Sequence, residues 1–250
     1  MALPVDAAAD HRQQAGMSRR RLRIPVLAFG AVCLTGLGGA VGSAVASRQG
    51  VSKLRSYAGE RARVVASQSG SLADGYVMLA GDSHAELALP DPPSCGRRLL
   101  NAGVSGAKAD DYLAFLDALT LKSRPAVVVV TLGTNHLLRK RNPSAREARD
   151  RFEADLSEVV TRLSRLADRV VLAAVPPLSA TASGFDGASV GELTRRQAAI
   201  CARLGCETVD PYLSYRGEDF GIARPDATTD GVHLTEYATA YRAIDRQICR

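Results

Sequence analysis

The chain has 250 residues, 46% of them apolar and 23% charged, a composition that fits one globular domain with an appendage and excludes a disordered or fibrous protein. Tryptophan is absent and aromatics make up 5%, so the core has to be built from Val, Leu and Ala. Of the formal net charge of +6, residues 1–46 hold +3, from five arginines against two aspartates. No aromatic-interleaved basic stripe follows, which argues against a nucleic-acid partner.

The first segment, residues 1–23, is a basic tail ending in Ser18-Arg19-Arg20-Arg21-Leu22-Arg23. Ile24 to Ala46 carries no charge; as a helix it would be roughly 34 Å long, against a hydrocarbon core of about 30 Å. The arginines ahead of it favour a cytoplasmic N-terminus, with everything after Ala46 outside. Ala44-Val45-Ala46 is also an A-x-A cleavage pattern, and Ser-Arg-Arg-x-Leu is similar to a twin-arginine signal. Residues 24–46 are therefore read as a transmembrane anchor or a signal sequence. Both readings export the domain to the periplasm or cell surface, anchored or released after cleavage near Ala46. Gly38 and Gly42 form a GxxxG of the kind that pairs membrane helices, a spacing that Gly-rich leaders also produce by chance. Residues 47–71, polar with several arginines and a lysine, read as a stem, helical in part, and the folded domain spans 72–250.

Within that domain, Tyr76 to Ala80 is a short buried-strand run and Leu99-Leu100 a shorter one. Ala126 to Leu132, with four consecutive valines, is the clearest strand in the chain, followed by Arg169 to Val175 and Glu207 to Val209. Helical periodicity falls over Ala109 to Leu119, Ser144 to Ala167, Val190 to Leu204 and Thr235 to Ile248. Strands alternating with helices require crossover connections, hence a mostly parallel sheet covered on both faces. In such sheets ligands bind beyond the carboxyl ends of the strands.

Beyond Cys33 the chain has Cys95, Cys201, Cys206 and Cys249. An oxidising compartment could pair these four in three ways, and the alternative is buried reduced thiols. No CxxC, HExxH or His-x-His spacing occurs, so neither a metal nor another cofactor is expected.

Four short segments carry the chemistry: Gly81-Asp82-Ser83-His84, Asn101-Ala102-Gly103, Gly133-Thr134-Asn135-His136 and Asp230-Gly231-Val232-His233. Each falls where an apolar run ends or a helical pattern begins, so all four are expected at one rim of the sheet. A serine hydroxyl needs a base to take its proton, and the base needs a third group to fix its tautomer. Ser83, at the turn from the first strand into a helix, is the candidate nucleophile and His233 the candidate base. Asp230, three residues before His233, can reach its Nδ1–H. The Ser83 and Gly103 backbone N–H groups and the Asn135 side-chain amide are the candidate oxyanion donors. Glycine at 103 fits because a Cβ would keep the backbone away from a substrate oxygen.

With these four motifs in this order, residues 72–250 resemble the SGNH, or GDSL-type, hydrolase family. Ser83 lies in Gly-Asp-Ser, Gly103 in Asn-Ala-Gly, Asn135 in Gly-Thr-Asn, and His233 with Asp230 in Asp-Gly-Val-His-Leu. The resemblance implies a flavodoxin-like three-layer α/β/α sandwich and the hydrolysis or transfer of acyl esters, often on lipids or on acyl decorations of glycans. Two positions depart from the pattern. His84 stands where Leu is usual, a variant similar to the extracytoplasmic SGNH domains attached to polysaccharide O-acyltransferases, and His136 replaces a common Asp.

A competing Gly187-Ala188-Ser189-Val190-Gly191 matches the G-x-S-x-G elbow, but the polar residues before it do not form the strand an elbow needs. Arg139-Lys140-Arg141 follows the third motif and would hold an acidic glycan or phosphate if it were not simply solvated. The expected activity is an exported serine esterase that removes acyl groups, O-acetyl foremost, from an envelope or secreted polysaccharide. An O-acyltransferase with the same triad, a lysophospholipase or thioesterase, and an inactive binding domain are the alternatives.

Overall fold

A helix, α1, runs over residues 53–69, where a polar stem is expected. Leu54, Ala58, Ala62 and Val65 recur at helical spacing, and Ala58, Ala62 and Val65 are buried in the main core. The folded body therefore includes this helix and does not begin near Leu72. Ser69 closes the helix: its Oγ accepts the Lys122 N–H at 3.0 Å, and its carbonyl accepts the Ser123 hydroxyl at 2.7 Å. The computed structural model describes residues 53–88 and 94–250; the expected anchor or signal at 24–46 lies outside them. Among the described residues no helix is long and apolar enough to cross a membrane.

The strands are β1 (Tyr76–Gly81), β2 (Leu99–Gly103), β3 (Pro125–Thr131), β4 (Arg169–Ala173) and β5 (Glu207–Val209). They form one sheet in the order β2-β1-β3-β4-β5 with every pairing parallel, the doubly wound order of the flavodoxin type. The helices are α2 (Ser83–Glu86), α3 (Ala109–Ala118), α4 (Arg146–Leu166), α5 (Val190–Leu204) and α6 (Ala238–Ile248). Side chains alternate across a strand, so the sheet supplies two cores. Met78, Ala80, Val128 and Val130 face α1, α3, α4 and α5. Val77, Leu79, Val127 and Val129 face α6 through Tyr241, Ile244 and Ile248. A continuous valine run is what a strand covered on both faces requires.

The expected elements recur with small shifts. β2 extends to Gly103, β4 stops at Ala173, and α6 starts at Ala238 instead of Thr235 because the Glu236 carboxylate accepts the Thr239 N–H at 3.0 Å. In register, Gly81 sits beside Gly103 on one flank and Thr131 on the other. The carboxyl ends of β1, β2 and β3 are thus level, and the loops that follow them share one rim.

Two disulfides close the domain. Cys95–Cys249 ties the turn before β2 to the residue after α6, and Cys201–Cys206 spans the end of α5.

Candidate active site

At the end of β1 the Asp82 side chain caps α2, accepting the His84 N–H at 3.0 Å. Asp82 is fully buried, and burial pushes its pKa up to about 7 against the hydrogen bonds that favour the anion. Capping orients the first turn of α2 so that Ser83 leads it at the rim, only 8% exposed. Ser83 Oγ lies 2.9 Å from His233 Nε2, and His233 Nδ1 lies 2.7 Å from Asp230 Oδ2. Asp230 Oδ1 also accepts the backbone N–H groups of Val232 and His233, at 2.9 and 2.8 Å. Burial works against the Asp230 anion, but the bonds from the His233 backbone and ring and from Val232 outweigh it and hold the carboxyl well below the usual range. The short loop is thereby locked in the shape that presents the imidazole, and the three side chains expected to cooperate do meet.

The oxyanion donors need one change. Gly103 N–H donates to Asn101 Oδ1 at 3.0 Å, and Asn101 is itself fixed by its Nδ2 contacts with the carbonyls of Ala85, Glu86 and Ala88. This single proton is committed to the protein. Glycine is required at 103 for a different reason from the one expected: a Cβ would lie 2.2 Å from the Glu86 nitrogen and 2.5 Å from its Cα. Gly103 is thus where β2 packs on the backbone of α2. Three residues later Gly106 turns the loop with φ +79°, and its N–H meets no acceptor among the described residues. The next carbonyl, of Ala107, accepts Asn135 Nδ2 at 3.1 Å, which brings this turn against Asn135. Gly106 is the residue that sequence reasoning missed; the Ser-Gly turn after the second strand is the signal that could have found it. Ser83 N–H also has no acceptor among the described residues, and one Asn135 Nδ2 hydrogen remains to be shared.

The two unusual histidines lie behind these groups. His84 is 1% exposed, its ring centroid is 5.5 Å from that of His233, and its Nδ1 is 3.1 Å from the Tyr237 hydroxyl. Burial, then the neighbouring His233, lowers its pKa to about 3, so it is neutral near pH 7. His136 Nε2 accepts the Ala109 N–H at the start of α3 at 2.9 Å, with its ring edge-on to Phe152. Burial holds it near 3 as well.

Ser189, in the competing G-x-S-x-G match, lies in a short turn leading into α5 and donates to Asp186 Oδ2 at 2.7 Å, with no strand ahead of it. A cavity of about 160 Å³ beside His136 includes Arg141 from the basic run. Its Lys108 pairs with Asp110 and Asp111, and Arg149 lies 3.9 Å from Glu192, while Arg141 and Arg151 have no ion-pair partner among the described residues, so the lining keeps an excess of positive charge.

Several solved structures share the fold. A Streptococcus pneumonia protein, named only provisionally as a platelet activating factor, superimposes with a TM-score of 0.65 at 15% identity, covering 82% of this chain and 98% of its own. A GDSL-like lipase from Bacteroides thetaiotaomicron gives 0.57 at 20% identity, covering 74% and 94%. An acetyl-xylooligosaccharide esterase from Geobacillus stearothermophilus gives 0.53 at 17% identity, covering 71% and 95%. No curated protein sequence matches the chain. The model of the GDSL-like lipase/acylhydrolase family matches residues 41–240, and on that span the chain belongs to this family of ester-hydrolysing enzymes.

Proposed function

We propose that the protein is an exported serine esterase that hydrolyses small acyl esters, O-acetyl groups foremost, on a cell-envelope or secreted polysaccharide. The observation that carries the reading is the unbroken hydrogen-bonded line from Ser83 Oγ through His233 to Asp230, 2.9 and 2.7 Å. With Nδ1–H held by Asp230, Nε2 faces Ser83 as the proton acceptor. Ser83 Oγ attacks the ester carbonyl while His233 takes its proton, then returns that proton to the leaving alcohol. Water repeats the sequence on the acyl-enzyme. The developing oxyanion is bound by the Ser83 and Gly106 N–H groups and by Asn135 Nδ2; loss of one such donor typically costs about 10²- to 10³-fold in rate.

Export is supported by two disulfides, which persist in oxidising compartments, together with the uncharged stretch 24–46, which would anchor the chain in the membrane or direct its secretion. The glycan substrate is favoured by the acetyl-xylooligosaccharide esterase among the structures sharing this fold.

The test is a pre-steady-state assay with p-nitrophenyl acetate and a longer-chain ester, comparing wild type with Ser83→Ala. A burst of one equivalent that the variant lacks, with preference for acetyl, is the expected result. A burst followed by stalled turnover, relieved by adding a glycan acceptor, would assign transfer instead of hydrolysis. Unchanged rates in Ser83→Ala would sink the mechanism.

A further inference from the structure

We propose that α1 is a working part of the acyl-transfer site, with Arg61 and Glu86 acting as positioning residues that brace the loop after β2 and so aim the Gly106 N–H. The inference rests on the reading of Gly106 as an oxyanion donor, and it assigns a role to a helix that precedes the first motif.

Arg61 projects from the face of α1 that packs on the core. Its Nε donates to the Gly103 carbonyl at 3.1 Å and its Nη2 to the Asn101 carbonyl at 3.0 Å. Both acceptors lie on β2, an edge strand whose outer side has no neighbouring strand among the described residues; a planar guanidinium presents two parallel donors suited to such a pair of carbonyls. Glu86, at the end of α2, completes the brace from the other side. Its Oε2 accepts the Ser105 N–H at 2.6 Å and its other oxygen accepts the Tyr57 hydroxyl of α1, with Arg61 Nε 3.8 Å away. Burial opposes the Glu86 anion, but these hydrogen bonds prevail and keep it ionised.

The loop residues immediately before Gly106 are therefore tied at Asn101, Gly103 and Ser105 by side chains from α1 and α2. Leu54 of α1 reaches the turn itself, with its Cδ1 4.0 Å from where a Cβ on Gly106 would stand. Arg61 and Glu86 side chains are only 18% and 21% exposed, so these bonds are sheltered from competing water. None of these groups touches the reacting atoms; each acts through the position of Gly106. A displacement of the donor by about 1 Å is enough to cost on the order of 10²-fold in rate.

The test uses the full chain with Arg61→Gln, Arg61→Lys and Glu86→Gln, assayed for kcat, KM, burst rate and thermal midpoint. Arg61→Gln is expected to lower kcat and the burst rate about 10- to 100-fold while KM stays within about 3-fold, because the lost interaction acts in the transition state. Arg61→Lys, keeping the charge and one donor, recovers part of that loss, and Glu86→Gln falls in the same direction. Should Arg61→Gln fail to fold, Arg61→Lys decides. An unchanged kcat in folded variants, a change confined to KM, or a loss that tracks the unfolded fraction overturns the proposal. Ser83→Ala run in parallel separates the two failures. If it abolishes the burst while the Arg61 variants keep theirs, only the positioning role falls, and if it retains the rate, the serine mechanism falls first.

Discussion

At the level of single residues, the two glycines of the β2 loop separate packing from catalysis. Gly103 has backbone atoms of α2 within 2.2 to 2.8 Å of any added Cβ, so Gly103→Ala has to push β2 off α2. Forcing extra volume into such a contact costs about 1–3 kcal/mol or more. At Gly106 there is open space apart from Leu54, and the strain of a left-handed residue is about 1–2 kcal/mol. Thermal melts and steady-state kinetics on both variants should diverge. Gly103→Ala is expected to show the larger fall in midpoint, and Gly106→Ala a fall in kcat out of proportion to its lost stability. Equal, proportionate losses would return Gly103 to the candidate donors. Ser83, Asn135, Asp230 and His233 were legible in the sequence because each lies in a short motif whose residue types the chemistry demands. Which glycine has its N–H free was not, since that depends on where Asn101 Oδ1 points.

Among the secondary-structure elements, the same contrast separates β3 from α1. Four valines in a row announce a strand buried on both faces, whatever surrounds it. The buried stripe of α1 is made of Ala58, Ala62 and Val65 amid arginines and glutamate, and small side chains give a weak amphipathic signal although they let the helix pack closely. The helix matters through what it covers, which only the tertiary structure reveals. Removing it takes Ala58, Ala62 and Val65 out of the main core and removes the Arg61 brace with them. A chain starting at Leu72 is expected to lose on the order of 3–5 kcal/mol, a large share of a typical domain stability of about 5–15 kcal/mol. A chain starting at Ser47 retains it. Urea unfolding of the two checks this: coincident midpoints would mean that α1 is dispensable to the fold.

For the molecule as a whole, stability against pH is set by the balance of protons between folded and unfolded chains. His84 and His136 are held neutral by burial, with pKa values near 3 against an ordinary 6.5. As pH falls below about 6.5 the unfolded chain binds protons at both positions that the folded chain refuses, so each lowers stability on acidification. Asp82 works in the opposite sense. Its raised pKa of about 7 means that between about pH 4 and 7 the folded chain keeps a proton the unfolded chain has released, which lowers stability as pH rises. Two histidines against one aspartate leave the unfolded chain ahead in bound protons at these three positions, which favours higher pH. His136→Gln keeps an oxygen to accept the Ala109 N–H but no longer titrates. In it the remaining His84 and Asp82 contributions oppose each other, so its stability is expected to fall less steeply than that of the wild type from about pH 6.5 to 5. The paired carboxylates Glu86, Glu192 and Glu207, all shifted downward, add to the acid end of this window equally in both chains, so the difference between the two curves isolates His136. Denaturant unfolding at several pH values reads the difference directly, and parallel curves for wild type and His136→Gln would show that His136 takes up a proton as readily in the folded chain as in the unfolded one.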